Sequence, residues 1–273
     1  MAYISTDDPQ ATKKIHLSSV PFGAVLRRNP QPAFGTGTPS TIGVELQRID
    51  ARKRDSCAHT QEILRALHQL LNYEIVERGD SYPFPNALTL DQFVAYYAGY
   101  ELFVLVLKSA DGVTDSAQFP LNIAKSDDGK TEYDFGRIVV GSFYVKPNYP
   151  FRSAHVCNGG FLVVPRYQRG FGAGTLMGRR YVLAAVELGY HASMFNLVYS
   201  TNIGSIKLWQ RLGFTHLSTI PLGGRVKVRE PKGDGKSFVV VEKFVDVYQF
   251  HADLRALAKK IAPELTLVAA SKM

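Results

Sequence analysis

The stretch Val163–Thr175, VVPRYQRGFGAGT, joins an apolar segment typical of a buried strand to a segment with helical periodicity. Glycine lets the backbone approach a ligand closely and adopt conformations that other residues avoid. The free N–H groups at the start of a helix, together with the helix dipole, attract an anion such as a pyrophosphate. The stretch therefore predicts an anion-binding loop. The alternative is a turn whose glycines only permit tight packing of the strand against the helix.

Two well-known phosphate-binding loops do not fit this stretch. A P-loop ends in Gly-Lys-Ser/Thr, and residues 169–175 contain no lysine. A dinucleotide-binding loop needs glycine at its sixth position, where this chain has Thr175, and it belongs to an early βαβ unit. The present loop lies past the middle of the chain, which also argues against a dinucleotide-binding loop. Both types of phosphate-binding loop are therefore excluded.

Two motifs, in the expected order, resemble those of the GNAT superfamily of N-acetyltransferases. The coenzyme-A motif Arg/Gln-x-x-Gly-x-Gly/Ala is matched by Arg169, Gly172 and Gly174. The downstream pattern Asn-x-x-Ala-x-x-x-Tyr-x-x-x-Gly-Phe, with Ser for Ala and Trp for Tyr, is matched by Asn202, Ser205, Trp209, Gly213 and Phe214. The resemblance covers roughly residues 40 to 250, and two motifs in order are more specific than either alone.

The resemblance implies acetyl-CoA as cosubstrate, no metal, and a mixed α/β fold. A central, mostly antiparallel sheet would have two splayed strands at its centre and helices on both faces. The strand backbone would bond the pantetheine arm, the loop would bind the pyrophosphate, and the downstream helix would flank the thiol. The implied cofactor-binding residues are Val163, Val164, Arg169, Gly170, Phe171, Gly172, Ala173, Gly174, Thr175, Asn202, Ser205 and Trp209.

The remaining chain pattern is consistent with one domain. We interpret residues 1–40 as an N-terminal extension of uncertain order and residues 41–273 as a single acetyltransferase domain. Periodicity predicts helices near 61–79, 89–100, 172–189, 203–212 and 252–261, the last ending at Pro263. Strands are predicted near 41–50, 101–108, 137–146, 155–164, 193–199, 215–221 and 243–250, with Gly159-Gly160 marking a bulge.

The superfamily usually transfers acetyl by direct attack of the amine on the thioester. Its usual thiolate acid, a tyrosine, is replaced here by Trp209, whose indole N–H can donate a hydrogen bond but cannot act as an ordinary acid. Trp209 is therefore either a packing residue or a hydrogen-bond donor. Cys157, with His155 two residues away, suggests a nucleophile, but cysteines in strands are more often inert, and direct transfer needs none.

Residues 141–150 and 155–161, together with FNLVY at 195–199 and Asn202, resemble a narrower fungal group of N-acetyltransferases. These act on azetidine-2-carboxylate, a toxic proline analogue, and on related imino acids, which implies a detoxifying role. The resemblance makes Asn158 the catalytic residue, bonding the substrate nitrogen or the reacting carbonyl. It assigns the substrate carboxylate to Asn196 and the backbone of Leu197. Tyr82 would cover the acceptor.

Nearby Glu74 and Glu77 are better explained as solvated surface residues than as part of the acceptor site. Two alternatives stay open at this point. The chain could acetylate protein or peptide amines, or it could be a non-catalytic module that binds coenzyme A, as Trp209 would permit.

Charge, hydropathy and cysteine content limit the binding partners and the cell compartment that we expect for this chain. The formal net charge of +8 suits a polyanion, but the chain has no zinc-finger spacing, no RNA-recognition motif and no long basic run, so we expect no nucleic acid. No apolar run is long enough to span a membrane. Two cysteines and an N-terminus without a secretory pattern favour the cytoplasm, with mitochondria still open. A homodimer is an expectation from the superfamily.

Overall fold

The computed structural model describes residues 23–27, 41–108, 119–232 and 238–262. Two helices continue as wider π-helical turns: Ala58–Tyr73 is followed by Glu74–Arg78, and Leu90–Phe93 is followed by Val94–Ala98. In chain order the described elements are β1 (Gly23–Arg27), β2 (Thr41–Ile49), α1 (Ala58–Tyr73), α2 (Leu90–Phe93), β3 (Glu101–Leu107), β4 (Ile123–Lys125), β5 (Glu132–Asp134), β6 (Val139–Pro147), β7 (Val156–Asn158), β8 (Phe161–Val163), α3 (Ala173–Glu187), β9 (Ala192–Tyr199), α4 (Ile203–Leu212), β10 (Thr215–Pro231), β11 (Phe238–Asp253) and α5 (Leu254–Ile261).

One sheet runs through the described residues, in the order β1-β2-β3-β6-β7-β9-β11-β10, and β8 also pairs with β6. Every pairing in this sheet is antiparallel except that of β7 with β9, which is parallel. A separate two-stranded ribbon, β4 with β5, lies beside it. The predicted mixed fold with a mostly antiparallel central sheet is therefore confirmed.

The sheet opens at its centre. β7 pairs with β9 only at Val156 and Cys157, and beyond this point β8 pairs with β6 but not with β9. The two central strands thus diverge and leave a cleft between β8 and β9. This is the splay that the sequence resemblance implied.

The predicted strand at 155–164 is divided in two by Gly159 and Gly160. The pairing with β6 has the same register on both sides of the break, so no residue is inserted and the bulge prediction is wrong. A Cβ at Gly159 would lie 2.5 Å from the Tyr181 ring, and one at Gly160 would lie 2.5 Å from the Tyr144 ring. The two glycines are therefore required by the aromatic rings packed over them.

Helices cover both faces of the sheet. The hydroxyl of Tyr97, in the turn after α2, lies 3.0 Å from Ser142 Oγ on β6. The adjacent Gly141 faces Met177 of α3 on the other side, where an added Cβ would lie 2.9 Å from the methionine methyl. Since neighbouring residues of a strand point to opposite faces, α2 and α3 lie on opposite sides, as predicted.

The helix boundaries follow the sequence signals. Thr89 caps α2 in a capping box with Gln92. Asn202 caps α4 by accepting a hydrogen bond from the Ser205 N–H, and Gly213 ends that helix with φ of 95°. These local signals are strong because each satisfies a backbone group that a helix end would otherwise leave unpaired.

The strands near both ends of the chain also differ from the sequence prediction. Within residues 1–40, the segment Gly23–Arg27 forms β1 and pairs with β2; the rest of residues 1–40 and Pro263 lie outside the described residues. β10 and β11 form a hairpin about twice as long as the predicted strands, because the turn-like residues 221–224 are absorbed as an irregularity in the pairing.

Candidate active site

The glycine loop, residues 169–175, includes the N-terminus of α3. Gly170 and Gly172 have φ of 82° and 75°, and Gly172 immediately precedes α3. No atom lies within 4 Å of a Cβ added at either glycine, so their role is conformational. No side chain caps this helix start, so the N–H groups of its first turn have no capping side chain as partner. The tight packing of α3 against α4 instead occurs at Gly178, where a Cβ would lie 2.6 Å from Leu212.

This geometry favours the anion-binding interpretation of the loop over the packing one. Ala173, Gly174 and Thr175 present the first N–H groups of α3, and a Cβ at Gly174 would meet only Leu208, at 3.8 Å. Arg169 is exposed beside this helix start, and Phe171 is half-buried there. A pyrophosphate is the type of group that such a helix start binds.

The β8 edge offers backbone groups to the cleft. The Val164 N–H donates to the Val140 carbonyl at 2.9 Å, and the Val164 carbonyl accepts from the Tyr167 N–H at 2.8 Å. Because backbone groups alternate along a strand, those of Phe161 and Val163 point away from β6, toward the cleft. Of the two valines predicted to contact pantetheine, Val163 faces the cleft, whereas Val164 is bonded within the protein. Phe161 was missed by the sequence analysis.

Two side chains reach the cleft carbonyls of β8. The Tyr82 hydroxyl donates to the Phe161 carbonyl at 3.0 Å. Burial raises the pKa of Tyr82 well above its ordinary value, so the hydroxyl stays protonated and remains a donor. Gln168 Nε2 donates to the Val163 carbonyl at 3.1 Å and also to Glu74 Oε1 at 3.1 Å. Through Gln168, the segment that follows α1 is hydrogen-bonded to β8.

Glu74 belongs to this network and is not a surface residue. It is 6% exposed and accepts from Ser81 Oγ at 3.0 Å, in addition to its contacts with Gln168 and Arg78. Burial raises the pKa of its carboxyl, and Arg78 partly offsets that effect. The surface interpretation was therefore wrong for Glu74. Glu77 is partly exposed and accepts from the Tyr133 hydroxyl at 2.8 Å and from the Asp127 N–H at 3.2 Å.

Trp209 packs within an aromatic cluster. Its ring stacks on Phe195 with centroids 4.1 Å apart and contacts Phe161 edge-on at 4.9 Å. Its indole Nε1 donates to Ser205 Oγ at 2.8 Å, so this donor is already used within α4. The packing interpretation of Trp209 is the one that these contacts favour. Asn202 and Ser205 are joined to it through the N-cap hydrogen bond of 3.1 Å.

Three asparagines meet at the end of the cleft. Asn158 Nδ2 donates to Asn148 Oδ1 at 2.9 Å, and Asn196 Nδ2 donates to the same oxygen at 2.5 Å. Asn148 Nδ2 lies 3.3 Å from Asn196 Oδ1 and donates to it. The two predicted substrate residues are thus brought together by Asn148, which the sequence analysis did not identify. We call these three residues the asparagine cluster.

Leu197 lies beside this cluster, at an irregularity in the sheet. In the β9–β11 ladder, Asn196 and Leu197 are skipped between the pairs at Phe195 and Val198. Such a bulge re-aims side chains and leaves backbone groups outside the regular ladder. The Leu197 side chain is 49% exposed. Its backbone therefore lies outside the regular ladder, next to Asn196.

Cys157 is a buried structural residue. Its Sγ lies 3.3 Å from the Tyr181 hydroxyl, and burial raises the pKa of the thiol to about 11. His155 is exposed, and its Nδ1 lies 3.1 Å from the Arg152 carbonyl rather than beside the thiol. A protonated thiol without a neighbouring base is a poor nucleophile, which agrees with the inert interpretation.

Comparison with known proteins identifies the family. Residues 82–214 match the family model described as acetyltransferase (GNAT) family. The chain is 35% identical over 203 residues to the N-acetyltransferase aca1 of Schizosaccharomyces pombe, a match that covers 74% of this chain and 87% of that protein. The chain belongs to the GNAT acetyltransferase family. It is an acetyl-CoA-dependent N-acetyltransferase.

Solved structures of other GNAT proteins share the fold. A GCN5-related N-acetyltransferase from Kribbella flavida superposes with a TM-score of 0.51 at 23% identity, covering 77% of this chain and 97% of its own. The protein yncA from Salmonella typhimurium, solved with acetyl-CoA, gives 0.50 at 16% identity, covering 77% and 94%. At these identities the likeness establishes the fold alone.

The residues present in this GNAT chain fit acetyl-CoA. The uncapped start of α3 suits the pyrophosphate, and the edge of β8 that faces β9 without pairing with it suits the amides of the pantetheine arm. Among the described residues, no group of three or more His, Cys, Asp or Glu side chains could hold a metal ion. Within the same residues, no helix is long and apolar enough to cross a membrane.

Proposed function

We propose that the acceptor of this enzyme is a small imino acid of the azetidine-2-carboxylate type, bound at the asparagine cluster. The supporting observation is the direct linkage of Asn148, Asn158 and Asn196 at the end of the cleft between β8 and β9. These amides are neutral, so they can orient an amine without holding it as an ammonium, as a carboxylate would.

The hydrogen bond to Asn148 fixes the orientation of the Asn158 side-chain amide. Since Asn158 Nδ2 is turned toward Asn148 Oδ1, its own Oδ1 points away from the cluster. An amide oxygen accepts a hydrogen bond, so Asn158 is suited to the N–H of the acceptor amine rather than to the thioester carbonyl. In the proposed mechanism Asn158 aims the nitrogen lone pair at the acetyl carbon.

The transfer itself makes one bond and breaks one. The acetyl-CoA thioester supplies the acetyl group, the amine nitrogen bonds to its carbonyl carbon, and the carbon–sulfur bond breaks. The amine loses one proton and the departing thiolate gains one. In this scheme Asn196 and the backbone of Leu197 hold the acceptor carboxylate. Tyr82, which is hydrogen-bonded to Phe161, closes the side of the cleft next to β8.

An acceptor panel tests this proposal. Purified enzyme would be incubated with acetyl-CoA and, separately, azetidine-2-carboxylate, proline, simple cyclic amines and a peptide pool. Thiol release and the mass of the acetylated product would be measured. We expect the highest kcat/KM with azetidine-2-carboxylate. Turnover with peptides alone would contradict the proposal and support a protein acetyltransferase instead.

We further propose a cytoplasmic enzyme that detoxifies such imino acids, because acetylation removes the basic nitrogen that makes them resemble proline. A homodimer is likewise a proposal. Acetylated imino acid in cell extracts, together with fractionation of the tagged protein, would test the cellular role, and light scattering would test the dimer.

A further inference from the structure

Lys146 lies directly opposite Asn158. The two residues are paired across β6 and β7, and opposing residues of antiparallel strands project from the same face of the sheet. Tyr144, two residues earlier on β6, projects from that face as well. Lys146 is therefore a neighbour of the asparagine cluster, although the proposed transfer does not use it.

The surroundings of this lysine are unusual for a cation. Its Nζ lies 4.7 Å from the centroid of the Tyr96 ring, 4.8 Å from that of Tyr144 and 6.0 Å from that of Tyr100. Its side chain is half-buried, and burial lowers its pKa. The three rings replace part of the water that an ammonium loses, because aromatic faces attract cations.

No carboxylate balances this charge within the described residues. The ion pairs formed there do not include Lys146. Aromatic faces stabilise a cation but do not neutralise it, so a half-buried ammonium of this kind attracts an anion. It also repels a second positive charge on a ligand bound beside it.

We propose that Lys146, enclosed by Tyr96, Tyr144 and Tyr100, forms a subsite for the carboxylate of the acceptor. The inference rests on the proposed acceptor site at Asn158, and it adds a charged group to the neutral donors at Asn196 and Leu197. It makes the enzyme selective for amines that carry a carboxylate close to the nitrogen, against neutral amines and polyamines.

Binding to the enzyme loaded with coenzyme A tests the subsite without requiring turnover. The probes are azetidine-2-carboxylate and azetidine-2-carboxamide, which differ mainly in charge, and their Kd would be measured by calorimetry. Lys146→Met removes the charge and retains the apolar stem, while Lys146→Arg retains the charge. Lys259→Met, at an exposed position on α5, is the matched control for a changed net charge.

We expect wild type to bind the carboxylate about tenfold or more tightly than the carboxamide, since one charge-assisted interaction is worth about that factor. Lys146→Met should abolish this preference, and Lys146→Arg and Lys259→Met should keep it. Equal binding of both probes to wild type, or a preference that survives in Lys146→Met, would overturn the subsite. Turnover of the bound carboxylate is measured separately, so failure of the proposed reaction would be recognised independently of this binding result.

Discussion

Replacing Asn148 with leucine tests the asparagine cluster most specifically. Leucine has a similar size and shape but cannot hydrogen-bond. The change removes the oxygen to which Asn158 and Asn196 both donate, at 2.9 and 2.5 Å. The amide of Asn158 then loses the partner that fixes its orientation, while its side chain remains in place. The expected defect therefore concerns the acceptor and not the cofactor.

The size of the effect follows from the contacts. Loss of three hydrogen bonds, at about 0.5 to 1.5 kcal/mol each, should lower the free energy of unfolding by about 1.5 to 4.5 kcal/mol. A misoriented Asn158 should lower kcat/KM for the acceptor by about tenfold, which corresponds to about 1.4 kcal/mol. The Kd of coenzyme A should stay within about twofold, because Asn148 hydrogen-bonds neither to the glycine loop nor to β8.

A matched control separates orientation from stability. Asn72→Leu, on α1, also removes three hydrogen bonds, two between the Asn72 amide and the backbone of Leu88 and one with His68 Nε2. It should lower the free energy of unfolding by a similar amount and leave kcat/KM unchanged below the unfolding transition. Urea unfolding, calorimetry and steady-state kinetics would be compared for both variants. A folded Asn148→Leu enzyme with wild-type kcat/KM would refute the positioning role.

Three further variants test the remaining assignments. Trp209→Phe should lower kcat less than about threefold, because the indole N–H donates to Ser205 and not into the cleft; a loss above about a hundredfold would restore a catalytic role. Gly172→Ala, at φ of 75°, should cost about 1 to 2 kcal/mol of stability in urea unfolding and weaken coenzyme A binding in calorimetry; unchanged values would argue against the anion-binding loop. Cys157→Ala should retain turnover, because the pKa of about 11 keeps the thiol protonated near neutral pH; a stable acetyl-cysteine found by mass spectrometry in wild type would contradict this.

The sequence predicted the local elements of the fold well, because their signals are local. Thr89 and Asn202 cap the two helices that periodicity predicts near 89–100 and 203–212. The predicted strand that corresponds to β10 ended too early, because Pro221 and Gly223-Gly224 usually mark a turn. In the structure Leu222 adopts φ of 54° there and the register shifts between Ile220 and Gly224, after which pairing resumes. Whether a strand continues past such residues depends on its partner strand.

The candidate site was predicted only in part, because some of its contacts join residues that are far apart in the sequence. Asn158 and Asn196 were identified through a resemblance, but the residue that joins them, Asn148, is 10 and 48 positions away from them. Only the strand pairing brings these positions together. The burial of Glu74 was missed because its partners Ser81 and Gln168 come from different loops. Contacts of this kind cannot be inferred from periodicity.

The most direct test of the central claim is the effect of Asn158→Ala on two quantities measured side by side. These are kcat/KM for azetidine-2-carboxylate at saturating acetyl-CoA and the Kd of coenzyme A. Asn158 projects beside Asn148 and makes no hydrogen bond to the glycine loop, so we expect kcat/KM to fall by about a hundredfold and Kd to change less than about twofold. Unchanged kcat/KM in a folded variant, or an equal loss in both quantities, would contradict an acceptor site at the asparagine cluster.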